Sequence, residues 1–570
     1  MPLVSRAFGT LLGLPPALTR DVEVQPDVAL PAPDGTDLLT DLYLARPPGP
    51  RPTILIRTPY GRRGIVGGGL AARFFAERGY HAVVQSTRGT FGSGGKIDFD
   101  AEAGDGRAAA DWITGQSWSN GELGTFGASY LSFTQLALAS TRPPQLKAMS
   151  LAVWGAERRA GYYPGGSFAL DRALNWAYGV VSQQERSKLA MLRGRRALGQ
   201  ALNHLPLLDA DTVAVGHPVG FYRDWLEHTA PADPYWAPTD FRPILPDLGV
   251  PVTMTAGWYD AFLPQMLADY QALWDGDHLV RLHIGPWRHA SPGLFRASLL
   301  DALDWFGVHL RREPLQPRPP VSFEVMGGGG PWQQPVWPPP ATGQRWYLQP
   351  HGRLSEDSPP VSEPDQYRYD PAEPTPAVGG TSTGPNSGPK DNRELEARPD
   401  VLTYSTSPLA AEVEITGPVR GELYVTSTLA HTDFFARLCD VDPKGRSVNV
   451  TDGLLRLTGP APGSEPGQEP GQEPGQEPGH EPGPVLVDLW PTAYRFAAGH
   501  RIRFQVSSGA HPRFARNPGT GEPLATATTL RVAEQTVYHD PDHPSAVLLP
   551  VVTGWRERST AISRGSVPPR

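Results

Sequence analysis

The chain carries one cysteine, Cys439, in 570 residues. That excludes an intramolecular disulfide framework and any zinc or iron–sulfur centre built on several thiolates, and it leaves Cys439 to be read as a small buried apolar residue. Long basic runs are missing too. With 51 Lys and Arg against 59 Asp and Glu the formal charge is -8, so nothing is set up to neutralise a row of phosphates, and a nucleic-acid partner is not expected. No stretch reaches the roughly 18 consecutive apolar residues of a membrane-crossing helix. The segment from Arg6 to Leu14 is short, interrupted by glycine and closed by Pro15-Pro16, which does not suit a leader. The expectation is a cytoplasmic protein with no membrane partner that acts on a small-molecule ester or amide; a homo-oligomer is compatible with the sequence.

Several chemical motifs are absent as well. There is no H-E-x-x-H, no G-K-[ST] phosphate loop and no G-x-G-x-x-G opening a helix, and His539-Asp540-Pro541-Asp542-His543 has metal-ligand residue types in a proline-broken turn. No metal and no cofactor are expected. What the chain has in quantity is 62 Gly and 64 Pro, which call for many turns and short strands and argue against a helical bundle. At this length two or three cores are expected.

Short apolar runs alternate with amphipathic stretches in the first third: residues 52–60, 81–89, 122–130 and 146–154. This is the rhythm of a parallel sheet with helices on its faces. The rhythm resumes at 250–260, with a helical stretch at 264–274, another strand at 278–289 and a helix from about Phe295 to Leu310, so the two sets are expected to form one doubly wound sheet. Residues 157–247 carry helical patterns and no buried strand, as an inserted helical subdomain would. From Pro319 onward, runs such as AEVEITG, GELYVTST and RIRFQVSS follow one another without helices and read as a β-sandwich. The four-residue repeat EPGQ at 465–483 has no apolar content and reads as a disordered loop.

Gly127-Ala128-Ser129-Tyr130 closes one of the strands and opens a helical pattern. A serine on such a strand-to-helix turn has the setting of a nucleophile elbow: small neighbours permit the tight turn, and the helix start, through the N–H of Tyr130, can stabilise an oxyanion. A serine nucleophile also needs a base and an orienting carboxylate, in the chain order Ser, Asp or Glu, His. Asp260 follows the strand that ends in Gly257-Trp258-Tyr259, and His289 follows the next. Taken singly, Asp260 also reads as the N-cap of the helix beginning near Pro264, and His289 as a surface residue. Three separately placed residues at the carboxyl ends of parallel strands agree on one chemistry.

The same residues resemble a known family, the cocaine-esterase-like α/β-hydrolases, relatives of Xaa-Pro dipeptidyl-peptidases, glutaryl acylases and α-amino-acid ester hydrolases. The resemblance runs almost end to end. It includes Arg57-Thr58-Pro59-Tyr60, Arg88-Gly89-Thr90, Asp111-Trp112, the elbow, Gly257 to Asp260 and Gly285 to His289, and in the sandwich Thr432-Asp433-Phe434, Asp440-Val441, Thr451-Asp452-Gly453 and Gly499-His500-Arg501. It implies an α/β-hydrolase sheet (residues 1–156 and 248–318), a helical cap insertion (157–247) and a C-terminal all-β jelly-roll sandwich (319–570). It further implies Ser129, Asp260 and His289 as the triad, with the hydroxyl of Tyr60 joining the amide of Tyr130 in the oxyanion hole. The role of Tyr60 comes from the resemblance alone.

The chain departs from the family's pattern at two places. Ser132 stands where relatives commonly have glycine, and Asp260 is followed by Ala261, Phe262 and Leu263 where amino-ester hydrolases carry an acidic pair for the substrate's ammonium. A pocket lined by Phe262 and, from the insertion, Trp176 would suit apolar acyl groups. The expected function is a serine hydrolase of carboxylic esters, or of amides, working through an acyl-enzyme. A dipeptidyl-peptidase is the alternative, with Glu157 as candidate anchor for a peptide amine; a non-catalytic binding protein is the second.

Overall fold

The computed structural model describes residues 2–64, 67–182, 188–315, 317–384, 386–459 and 482–552. The chain divides into two compact units: Met1–Tyr162, Arg172–His204 and Leu208–Ser322 form the first, and Tyr163–Asp171, Leu205–Leu207 and Phe323–Arg570 the second.

The first unit contains strands β1 (Val22–Pro31), β2 (Asp37–Ala45), β3 (Arg51–Thr58), β4 (His81–Ser86), β5 (Ser119–Ala128), β6 (Leu146–Ala152), β7 (Val252–Tyr259) and β8 (Val280–Arg288). They stand in the order β1-β2-β4-β3-β5-β6-β7-β8. From β4 to β8 all pairings are parallel, while β1 and β2 are antiparallel additions at one edge. The central strands are apolar without interruption because helices cover both faces. In β3, Ile54 and Ile56 face a cluster with Phe74, Phe75, Trp305 and Phe306, whereas Leu55 faces the opposite one with Ala109, Ile113 and Leu138. The covering helices are α1 (Pro2–Leu11), α2 (Gly69–Ala76), α3 (Glu102–Thr114) and α4 (Tyr130–Ser140) from the first part of the chain.

The described residues of 157–247 are helical apart from their connections: α5 (Arg158–Tyr162), α6 (Leu170–Ser182), α7 (Lys188–Ala201), α8 (Ala210–Val215), α9 (Gly220–Glu227) and four 3₁₀ segments, Pro164–Gly166, Leu207–Asp209, Pro234–Thr239 and Arg242–Asp247. The stretch leaves and returns at one place. Glu157 and Asp240 form an antiparallel bridge, the N–H of Phe241 donates to Ala156 O at 3.0 Å, and Arg242 pairs with Glu157 at 2.8 Å. Within this stretch Tyr163–Asp171 belongs to the second unit. Asp171 N–H donates to Pro512 O at 3.0 Å and Ala515 N–H to Phe168 O at 2.8 Å, and Gly165 lies so close to Leu454 O that a Cβ would be 1.6 Å from it. After β7 and β8 come α10 (Leu263–Asp275) and α11 (Pro292–Arg311).

The order of the first unit's sheet locates its binding crevice. The chain passes from β3 to β4 on one side and from β5 to β6 on the other, so β3 and β5 are the neighbours whose connections diverge. Ligands of open α/β sheets bind beyond the carboxyl ends of such a pair, and Tyr60 and Ser129 lie beyond β3 and β5.

Beyond the short helix Arg393–Glu396 and one 3₁₀ turn, the described part of the second unit from Phe323 onward is all-β. Its longest pairing runs between Val413–Ser427 and Gly483–Phe496, around a core that includes Phe434, Leu438, Val487, Phe504 and Val547. Its motif residues are ion-pair nodes. Asp452, buried, takes Arg437 and Arg513, Asp433 takes Arg456 at 2.7 Å, and Asp440 holds His500 at 2.8 Å and the Tyr494 hydroxyl at 2.9 Å. The EPGQ repeat, up to residue 481, lies outside the described residues; Gly483, placed with the loop on sequence grounds, opens a strand, because the apolar alternation of VLVDLW starts directly behind it.

Candidate active site

Ser129 sits between β5 and α4 with φ 59° and ψ -128°, a left-handed backbone that non-glycine residues adopt only when their surroundings hold them there, at a cost of about 1–3 kcal/mol. Three contacts hold it. Its own N–H donates to Ala152 O at 2.8 Å. Gly127, at φ 150°, lies where a Cβ would come within 2.3 Å of the Leu131 Cβ, so only glycine fits. Ser132, fully buried, places its hydroxyl 2.7 Å from Gly127 O and 3.0 Å from Ala152 O and accepts the Ala152 N–H at 2.9 Å. The hydroxyl that marks the departure at this position therefore stitches the elbow to β6.

Asp260 and His289 follow β7 and β8. A Cβ on Gly257 would meet Trp287 O at 2.4 Å, so glycine lets the two strand ends close on each other. His289 Nδ1 lies 2.7 Å from Asp260 Oδ2, and His289 Nε2 lies 2.9 Å from Ser129 Oγ. Asp260 is fully buried, and its Oδ1 accepts the Phe262 N–H at 2.8 Å, so the carboxylate both turns the chain into α10 and faces the imidazole. With the carboxylate at Nδ1, that nitrogen carries the proton and Nε2 is free to accept from the serine.

Tyr60 lies beside the serine. Its phenolic oxygen accepts from the indole N–H of Trp176 at 3.0 Å. Burial raises the phenol's pKa, and the neighbouring Trp176 and Ser129 pull it part of the way back, so the group is a neutral donor at physiological pH. Tyr130 opens α4, where the first N–H groups have no partner within the helix. Its ring is fixed from both ends. The hydroxyl donates to Glu102 at 2.8 Å, and the ring stacks on Trp176 with centroids 5.7 Å apart and an interplanar angle of 13°.

Glu102 is paired with Arg57 at 2.7 Å, both about 2% exposed; burial raises the Glu102 pKa against the pull of Arg57 and Tyr130. This buried pair beneath the elbow escaped the sequence reading, because a charged pair that will be buried looks there like any surface Arg and Glu. Of the two pocket candidates, Phe262 is 4% exposed and packs against the His289 ring at 5.5 Å and Trp154 at 4.6 Å, with the Arg172 guanidinium over its ring at 4.8 Å. Trp176 is half-buried and belongs to an aromatic wall with Phe99, Phe221 and Trp225. Glu157, the candidate amine anchor, is engaged by Arg242. No group of metal-ligating residues occurs among the described residues, and no helix there is long and apolar enough to cross a membrane.

Comparison with known proteins places this geometry in context. The family model of the X-Pro dipeptidyl-peptidases (S15 family) matches residues 34–291, and that of the X-Pro dipeptidyl-peptidase C-terminal non-catalytic domain matches residues 315–548. Cocaine esterase of Rhodococcus sp. (strain MB1 Bresler) is 31% identical, with 93% of this chain and 98% of that protein covered. A putative serine esterase of Mycobacterium tuberculosis (strain CDC 1551 / Oshkosh) is 27% identical, covering 91% and 94%. Among solved structures, an α-amino acid ester hydrolase has a TM-score of 0.79 at 24% identity over 93% of this chain and 97% of that one. An aminopeptidase from a marine sediment Thaumarchaeota archaeon has 0.78 at 22%, covering 94% and 97%; these two likenesses speak for the fold.

Proposed function

We infer, from the premise that this chain belongs to the X-Pro dipeptidyl-peptidase-like family that includes cocaine esterase, that it hydrolyses carboxylic esters through an acyl-enzyme formed on Ser129. The family makes it a serine hydrolase, an esterase or a peptidase. The observation that carries the finer reading is the continuous chain of hydrogen bonds from Ser129 Oγ through His289 to Asp260 at the start of a helix.

In this mechanism His289 Nε2 takes the Ser129 proton as Oγ attacks the ester carbonyl, and Asp260 stabilises the imidazolium that forms. The oxygen of the tetrahedral intermediate receives the Tyr60 O–H and the Tyr130 N–H, donors already in place before charge develops. Collapse expels the alcohol, protonated by His289. Water, deprotonated by the same imidazole, then releases the acid and restores the serine. Phe262 and Trp176 give the acyl side an apolar aromatic surface. An ester is favoured over an Xaa-Pro peptide because Asp260 is followed by Ala261, Phe262 and Leu263 and because Glu157 is already paired with Arg242, which leaves a free peptide amine without an evident anion.

The test is a panel of aryl and alkyl esters beside Xaa-Pro amides, with fluorophosphonate labelling of the wild type and of Ser129→Ala. Ester turnover and labelling, both lost in the variant, are expected. Faster turnover of the Xaa-Pro amides would replace the esterase by the peptidase, and labelling that survives Ser129→Ala would remove Ser129 from the chemistry.

A further inference from the structure

Tyr60 and Trp176 come from different parts of the first unit, Tyr60 from the turn after β3 and Trp176 from α6 in the helical insertion. The bond between them has a fixed direction. An indole N–H only donates, whereas a phenolic hydroxyl has one proton to give and lone pairs to accept with, so at 3.0 Å the Tyr60 oxygen is the acceptor. With that acceptor side taken, the phenol's own O–H is the group left to donate. Ser129 gives its proton to His289 Nε2, whose Nδ1–H points to Asp260. Two runs of donors result: Trp176 to Tyr60, and Ser129 to His289 to Asp260.

Resting on the hydrolase reading above, we propose that Trp176 is a positioning residue of the oxyanion hole, whose indole N–H occupies the acceptor side of the Tyr60 hydroxyl and so keeps the phenolic proton aimed at the reacting carbonyl. Without that N–H the phenol proton has a free rotor and a second choice of direction, and the cost of re-aiming it falls on the transition state. Accepting a hydrogen bond also polarises the phenol and strengthens the bond it donates. The stack of Trp176 on Tyr130 braces the indole against the residue that supplies the second donor, so one side chain from the insertion contacts both halves of the oxyanion hole. The hydrogen bond of Trp176 goes to Tyr60, and it is through Tyr60 that it acts.

The experiment is a double-mutant cycle of Trp176→Phe and Tyr60→Phe read with phenyl acetate, whose acetyl group is too small to need the aromatic wall. Trp176→Phe alone is expected to lower kcat about fivefold to tenfold, the size of one lost neutral hydrogen bond, with KM within twofold. In the Tyr60→Phe background the same change is expected to alter kcat by less than twofold, because the hydroxyl it acts on is gone. An equal loss in both backgrounds, or a loss confined to KM, would overturn the proposal and leave Trp176 as pocket wall while the hydrolase reading stands. Absence of fluorophosphonate labelling in the wild type would instead sink the hydrolase reading itself. Should Trp176→Phe not fold, benzothienylalanine placed at position 176, similar in shape to tryptophan and without the N–H, takes its place in the cycle with the same expectations.

Discussion

Each of the two units holds a serine, a histidine and an aspartate in one chain of hydrogen bonds. In the first unit Ser129 meets His289 Nε2 at 2.9 Å and Asp260 meets Nδ1 at 2.7 Å. In the second, Ser362 Oγ lies 2.9 Å from His539 Nδ1, and Asp365 lies 3.0 Å from Nε2 while also accepting the Tyr404 hydroxyl at 2.8 Å. The side chains are the same; the backbones beneath them are not. Ser129 is held at positive φ at the head of α4, with the Tyr60 phenol beside it. Ser362 lies in a connection leading into a strand, Asp365–Tyr369, and its hydroxyl turns back to within 3.3 Å of the carbonyl of His539 itself. His539 is almost fully buried. The second chain knots a loop to a strand end, and burial of Asp365 is more than offset by His539 and Tyr404, which keep its carboxyl below the ordinary range. Residue types in contact make a hydrogen-bond chain; the first unit adds a strained turn and a helix start, the setting that our proposal gives to a nucleophile.

That contrast fails most visibly if the two serines behave alike. Ser129→Ala is expected to lower kcat for an ester by about 10⁴-fold or more, and Ser362→Ala by less than twofold, measured on the same substrate. Nearly as large is the effect of Asp260→Asn, about 10⁴-fold through the wrong imidazole tautomer. Asp365→Asn should leave turnover unchanged and lower the melting temperature, so a loss of turnover there would make the two chains equivalents. Tyr60→Phe sharpens the comparison at its third member, the proposed oxyanion donor: a fall in kcat of about 10²-fold is expected, and none after Tyr404→Phe.

The smallest effect concerns a buried carboxyl that belongs to neither chain. Asp269 on α10 accepts the Ala156 N–H at 2.6 Å, and burial raises its pKa to about 7. A carboxyl whose pKa is higher folded than unfolded contributes stability at pH below its unfolded value near 4, and that contribution is lost as pH rises towards 7. Asp269→Asn keeps an acceptor without the charge. Its melting temperature is expected to exceed that of the wild type by about 2–4 °C at pH 8 and to match it at pH 4; a gain at the acid end alone would reverse the sign of the argument.

Much of the first unit was legible because its strands advertise themselves. The runs at 52–60, 81–89, 122–130, 146–154, 250–260 and 278–289 correspond to β3 through β8, and a polar residue directly after such a run is conspicuous; that is how Ser129, Asp260 and His289 stood out. β1 and β2 were missed. The first is largely exposed, carries Pro26 and bulges between Gln25 and Val28, so it has no clean alternation to read. Tyr60 came only through the family resemblance, since a tyrosine after a strand has no spacing that betrays a donor. The bond between Trp176 and Tyr60 spans 116 positions, and the pairing of Glu102 with Arg57 spans 45; neither distance leaves a local trace. The placing of Tyr163–Asp171 with the second unit depends on the backbone fit at Gly165, which only a contact can reveal.

The bridge between Glu157 and Asp240 gives the insertion a single doorway. A segment that departs and re-enters through adjoining positions can be lengthened, shortened or exchanged without respacing β6 and β7. Trp176 travels inside that cassette. A transplanted insertion would therefore carry its own hold on the Tyr60 hydroxyl or arrive without one, and chimeras would inherit catalytic vigour together with substrate preference.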